Sequence, residues 1–177
     1  LYGELDATSS GNVSLGTSST STKPIISSGQ DVSILGSHGK RKISVKSGDI
    51  AEVISKKINT VTGSTAVEAT SSTHAMLSFE NTSGGSISDT VSFNLYGLDG
   101  TMKNISSKIS FGSGNQDMDL DSLKTEINNF SSQTGITAYI SDDRQAITLK
   151  TRRGFDILIE DFNLKNDTSS VFMYLNE

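Results

Sequence analysis

The feature that most narrows what this chain can fold into is an internal repeat: Ala51 to Ala69 lies on Leu120 to Ala138 without a gap, at an offset of about 69 residues. Ile54, Ile58, Asn59, Val61, Thr65, Val67 and Ala69 fall on Leu123, Ile127, Asn128, Phe130, Thr134, Ile136 and Ala138. Every matched pair except the Asn and Thr ones is apolar, so what recurs is a core pattern. Upstream, Ile34-Leu35-Gly36-Ser37-His38-Gly39 matches Leu95-Tyr96-Gly97-Leu98-Asp99-Gly100 at an offset shorter by roughly eight residues. The second copy therefore carries an insertion before its helix. The Ser-, Gly- and Asn-rich stretch from Asn104 to Gln116 is expected to hold it as a longer loop. Two copies are too few for an extended solenoid, so the repeat predicts two lobes packed together or one pseudo-symmetric sheet system.

Each lobe would be of the order of 60 to 70 residues, where a single core is marginal and mutual packing helps. Ser and Thr number 49 of the 177 residues and the apolar fraction is 33%, so the core is thin and the surface rich in hydroxyls. The chain has no Cys and one Pro, Pro24, which removes disulfides and thiolate metal sites. A disulfide-free chain fits export in the unfolded state. The formal charge of −5 and the scatter of Lys and Arg outside Lys40-Arg41-Lys42 and Arg152-Arg153 leave no basic stripe for nucleic acid. No apolar run is long enough to span a membrane and no signal peptide is recognisable. With no Met at its start, the chain is expected to be a piece of a longer polypeptide.

Residues 1–30 are dominated by Ser, Thr and Gly, with weak alternation around Val13 and Leu15 and around Ile25 and Ile26, and read as irregular chain with short edge strands. Val32 to Leu35 and Lys42 to Val45 flank a turn at Gly36 to Gly39, a hairpin. Asp49 and Glu52 have the spacing of a capping box, and Ile50, Ile54, Ile58 and Val61 share one helical face behind it. In the second copy Asp119 is the expected N-cap, Asp121 sits in the first turn, and Leu120, Leu123, Ile127 and Phe130 form the stripe. Strands are expected at Ala66 to Ala69 and Met76 to Phe79 in the first copy. In the second they are expected at Thr137 to Ser141 and Ala146 to Lys150, joined by a turn at Asp142 to Gln145. Arg152-Arg153-Gly154 then turns into Phe155 to Ile159. The fold class is α+β: two repeated strand-strand-helix-strand-strand lobes, largely antiparallel, each covered by one amphipathic helix. The expected divisions are 1–30, a first lobe at 31–88, a second at 89–163, and a C-terminal segment at 164–177.

Both copies pass through Ile-Asn at the helix end and continue as Thr-Ala-Val-Glu-Ala or Thr-Gly-Ile-Thr-Ala. This resembles the Ile-Asn motif of bacterial flagellins and some hook-associated proteins. The second copy is the closer match, through Asp119 to Leu123, Ile127-Asn128, Thr134 to Ala138, Ala146 to Leu149, Gly154 to Ile157 and Asp161-Phe162. The first departs from it at Ala66, where Gly is usual. The resemblance covers about residues 31–162 and implies the exposed central region of flagellin, outside the cell on the flagellar filament. Its implied role is structural: supporting motility, presenting the outer surface and contacting neighbouring flagellin subunits. The helical ends that build a filament core in that family would lie outside this stretch, so the piece alone should be monomeric, with its termini close together. A cap or hook-associated domain is the alternative within the same class.

No catalytic set emerges, and no catalytic, cofactor or metal residue is assigned. His38 and His74 are the only histidines, in a turn and a loop, with no companion ligands. The Asp117, Asp119, Asp121 series lacks the Gly and Glu that complete a calcium loop, and helix capping accounts for it better. Gly36 to Gly39 and Gly112 to Gly114 lack the Lys-Ser/Thr of a phosphate loop. Arg152-Arg153 reads as a solvated turn. Phe79, Phe93, Phe130, Phe155 and Phe162 fall at inward positions and read as core. Asn12, Asn81, Asn104, Asn129 and Asn166 fit a glycosylation triplet that carries little weight by itself in a bacterial protein, where exposed Ser and Thr are the alternative sugar sites. A hydroxyl-rich surface with Tyr96, Tyr139 and Tyr174 leaves a glycan-binding adhesive module as the alternative from another class.

Overall fold

The computed structural model describes residues 13–16, 28–81, 85–112, 118–166 and 171–176. They fall into two compact units. The first holds 28–73 and the short return segment 152–156; the second holds the described residues of 13–16, 74–151 and 157–176.

In the first unit β2 (Gln30–Gly36) and β3 (Gly39–Val45) form an antiparallel hairpin in register from Gln30 opposite Val45 to Gly36 opposite Gly39. Alternation puts Ile34, Ile43 and Val45 on one face. Helix α1 (Ala51–Asn59) and the single turn α2 (Thr62–Thr65) follow. Ile54, Ile58, Val61 and Val67 close over the hairpin and complete a small core.

The second unit is built from two four-stranded sheets. One runs β1 (Val13–Gly16), β9 (Ile157–Leu164), β5 (Ile87–Tyr96), β6 (Met102–Phe111), antiparallel except for the parallel pair β1 and β9. The other runs β10 (Val171–Asn176), β4 (Thr73–Asn81), β8 (Ala146–Thr151), β7 (Ile136–Ile140). Helix α3 (Asp121–Asn129) and the turn α4 (Ser131–Thr134) lead into β7. Val91, Phe93, Leu95, Ile105, Ile109, Leu123, Ile127, Ile147 and Leu149 are buried, and the Phe79 and Phe111 rings meet at 6.4 Å, tilted by 60°. The architecture is α+β with mostly antiparallel sheets.

Several expectations need correction. Asn104 to Phe111 is strand, not loop: Ile105, Ser107, Ile109 and Phe111 alternate inward as part of β6, and the Ser residues hid that period; residues 113–117 lie outside the described residues. Ala66 to Ala69 is not a strand, because Ala66 adopts φ 58° and turns the chain sharply after α2. The expected strand Met76 to Phe79 exists as the middle of β4, but it pairs in the second unit's sheet. The capping box does not form: Ile50 is the N-cap of α1, and the Asp49 carboxylate turns back to the Lys46 N–H at 2.7 Å and across to Lys57. Leu120, not Asp119, caps α3, while Asp119 Oδ1 accepts the Asp121 N–H at 3.1 Å. Phe130 and Phe162 are half-buried, and Phe130 presents its ring to Lys103, whose Nζ is 5.6 Å from the centroid. Of the early segment, β1 matches the alternation at Val13 and Leu15, and Ile25-Ile26 lies outside the described residues.

Among the described residues one buried side-chain oxygen has no partner, Thr73 Oγ1 at the start of β4. Replacing the hydroxyl by a methyl of the same shape removes that desolvation cost. Thr73→Val should therefore raise the urea midpoint, by about 1 kcal/mol of stability; a loss would show that the hydroxyl has a partner in solution.

Candidate functional site

The Asn at the end of each long helix makes the same pair of bonds. Asn128 Nδ2 donates to the Ala138 carbonyl at 2.9 Å, and Asn128 Oδ1 accepts the Ala138 N–H at 2.8 Å. In the first unit Asn59 Nδ2 donates to the Ala69 carbonyl at 2.9 Å and Oδ1 accepts the Ala69 N–H at 2.8 Å. A primary amide offers one donor and one acceptor side by side, so it can close both groups of one backbone residue, as a neighbouring strand would. The Thr beside it is just as regular. Thr134 Oγ1 donates to the Phe130 carbonyl at 3.0 Å and accepts the Ile136 N–H at 3.2 Å. Thr65 Oγ1 does the same with the Val61 carbonyl at 2.9 Å and the Val67 N–H at 3.2 Å. Both Thr side chains are fully buried, which explains why a hydroxyl recurs inside an apolar pattern.

A glycine from the preceding hairpin meets each Thr backbone. A Cβ on Gly36 would stand 1.9 Å from the Thr65 carbonyl oxygen, and one on Gly97 would stand 2.1 Å from that of Thr134. These glycines are packing positions as well as turn residues. After the Thr the chain turns left-handed, at Gly135 with φ 70° and at Ala66 with φ 58°. Glycine enters that region freely and alanine does not. Ala66→Gly should stabilise the first unit by about 0.5–1 kcal/mol and Gly135→Ala should destabilise the second by about 1 kcal/mol, read as opposite shifts of the denaturation midpoint.

Charge is also repeated on the two helices. Glu52 Oε1 pairs with Lys56 at 2.8 Å and with Arg153 at 2.6 Å; the Asp121 carboxylate pairs with Lys124 at 2.9 Å and Arg144 at 2.7 Å. Arg153 is an exposed turn residue, as expected, and is also ion-paired. Its carbonyl also accepts from Ser71 Oγ at 2.8 Å, and the Gly154 carbonyl accepts the Glu52 N–H at 3.1 Å at the start of α1. Lys56 first and Arg153 second hold Glu52 below its ordinary value of 4.5; Lys124 and then Arg144 hold Asp121 below 3.8. Because both are lowered in the fold, their contribution is complete above those ordinary values and is lost as pH falls through and below them. Unfolding should become easier below about pH 4.5, and Glu52→Gln should shrink the difference between urea midpoints at pH 7 and pH 3.

The residues singled out from the sequence do not converge on chemistry. His38 and His74 belong to separate units, Tyr96 is half-buried, Tyr139 is exposed, and Tyr174 lies in β10. The Tyr96 hydroxyl is pushed up by its hydrogen bond to Glu160. Asp117 and Asn12 lie outside the described residues, and Asn81 is buried with Nδ2 donating to the Gly85 carbonyl at 2.7 Å. Among the described residues no group of three or more His, Asp or Glu side chains could hold a metal ion, and no helix is long and apolar enough to cross a membrane. A shallow groove between β6 and α3 is lined by Ser106, Lys108, Asp121, Ser122, Thr125 and Glu126 and is open to solvent. Sequence reasoning missed a buried carboxylate, Asp89, which accepts the Thr90 N–H at 2.7 Å, the Asn166 N–H at 3.2 Å and Asn166 Nδ2 at 2.9 Å.

The recurrent chemistry is therefore a structural latch, Ile-Asn to Ala with Thr beside it. Residues 90–152, which run from β5 through the Asn128 latch to the end of β8, match the family model described as the flagellin hook IN motif. That segment carries the flagellin hook IN motif. No curated protein matches it. The IN match lies almost wholly in the second unit, and the Asn59 latch with the same four bonds falls outside it.

Proposed function

We propose that this chain is the surface-exposed, outer part of a flagellar filament subunit, outside the cell, built from two IN lobes that present the filament surface and contact neighbouring subunits. The observation that carries the reading is the flagellin IN match at 90–152. The same Asn, Thr and Gly geometry at Asn59, Thr65 and Gly36 supports a second, diverged copy of that lobe. The Asn and Thr side chains of both latches, with Glu52, Asp121 and Asp89, are engaged in holding the fold, which suits display and assembly. Joining the chain to helical flagellin ends should give filaments of enlarged diameter by electron microscopy. Folded ends that form filaments of unchanged diameter, or none, would count against the proposal. A hook-associated or cap protein is the second reading, favoured by the hook in the matched motif's description; assembly at the hook–filament junction instead of along the filament would select it.

A further inference from the structure

Among the described residues the β7 strand is an edge of its sheet, paired with β8 on one side. Ala138, its central residue, sends neither backbone group to β8, because both go to the Asn128 side chain. In an antiparallel ladder the groups alternate, so Ile136, Ala138 and Ile140 face outward, about 6.8 Å apart. The Ile136 N–H is taken by Thr134 Oγ1. Of the three outward residues only Ile140 keeps both groups, and an added strand needs consecutive complete pairs. We propose that the Asn128 amide, with Thr134, is an edge guard: it closes β7 against pairing with the β7 edge of a second copy of this chain. The occupant is a second copy because the side chains on the outer face of this strand, half-buried Thr137 and exposed Tyr139, are uncharged, and a strand antiparallel to itself sets like residues together without charge repulsion. An unguarded edge of this kind is a site of association.

Asn128→Leu in the full chain keeps the side-chain size and removes both bonds. Sedimentation velocity should then show dimers at concentrations where the unaltered chain is monomeric. Adding Ile140→Pro, which removes one of the two outward donors then open, those of Ala138 and Ile140, and breaks the run of consecutive pairs, should restore the monomer. Leu149→Ala, a buried truncation that weakens the unit without opening the edge, should stay monomeric while folded. Asn128→Leu that remains monomeric, or associates no more than Leu149→Ala, overturns the proposal. Should Asn128→Leu fail to fold, hydrogen exchange of the unaltered chain decides: the Ala138 amide should be as protected as the ladder amides of Thr137 and Tyr139. Rapid exchange at Ala138 means that the guard is open and overturns the proposal as well.

Discussion

Gly97→Ala should cost the second unit about 3 kcal/mol, the upper part of the range for inserting a methyl into a packed site. The added Cβ would lie 2.1 Å from the Thr134 oxygen and 2.7 Å from its carbonyl carbon and Cα. All three are backbone atoms of a residue pinned by its own hydroxyl bonds, so no rotamer can yield. Gly36→Ala should act alike on the first unit, where the Thr65 oxygen is 1.9 Å away. Gly63, also within a helical turn, has nothing within 4 Å of an added Cβ, and Gly63→Ala should be neutral or stabilising. Urea denaturation measures the three, and amide exchange in α1 and α3 assigns each loss to its unit. A Gly97→Ala shift under about 1 kcal/mol would mean that the hairpin and the Thr134 turn are further apart than described.

Asp89→Ala is the second large effect, about 3 kcal/mol. The carboxylate is 3% exposed and its oxygens take three N–H groups, two of them on Asn166, while the Lys165 N–H donates to the Thr90 carbonyl at 3.0 Å. Truncation removes three charge-assisted bonds at once, from the half-buried Thr90 N–H and from both donors of exposed Asn166. Asp89→Asn keeps the shape but points an amide N–H at other N–H groups, so it should recover little. The check is equilibrium unfolding together with exchange at the Asn166 amide, which should lose its protection first. Stability within about 1 kcal/mol of the unaltered chain would place water, not Asp89, as the real partner.

Much of the fold was legible because the apolar period survives in both copies. Ile54 and Ile58, like Leu123 and Ile127, mark their helices without ambiguity, and alternation marks β2, β3, β7 and β8. The latch was half legible. Asn59, Asn128, Thr65 and Thr134 stood out as polar residues in an apolar register, but nothing in one sequence says that an amide will reach a backbone ten residues on. β6 was obscured because Ser106, Ser107 and Ser110 blur the inward alternation of Ile105, Ile109 and Phe111. The start of α1 departs from its capping pattern since Asp49 finds better partners in the Lys46 N–H and Lys57 than in the helix it precedes. Gly36 and Gly97 read as turn residues, for close packing against a distant carbonyl leaves no local signature. Asp89 was silent for the same reason: its partner Asn166 is 77 residues away.

The return segment 152–156 has a consequence for the order of events in the cell. Residues 28–73 of the first unit receive their last contacts, Gly154 to the start of α1, Arg153 to Glu52 and Ser71 to the Arg153 carbonyl, from chain that follows the whole of β4 to β8. A polypeptide emerging from its N-terminal end can form the β2–β3 hairpin and α1 early, yet Glu52 must wait until Arg153, 101 residues on, has appeared before the helix start is closed. The unit that appears first is thereby the one finished late, and the sewing thread runs through the segment that bears the IN motif.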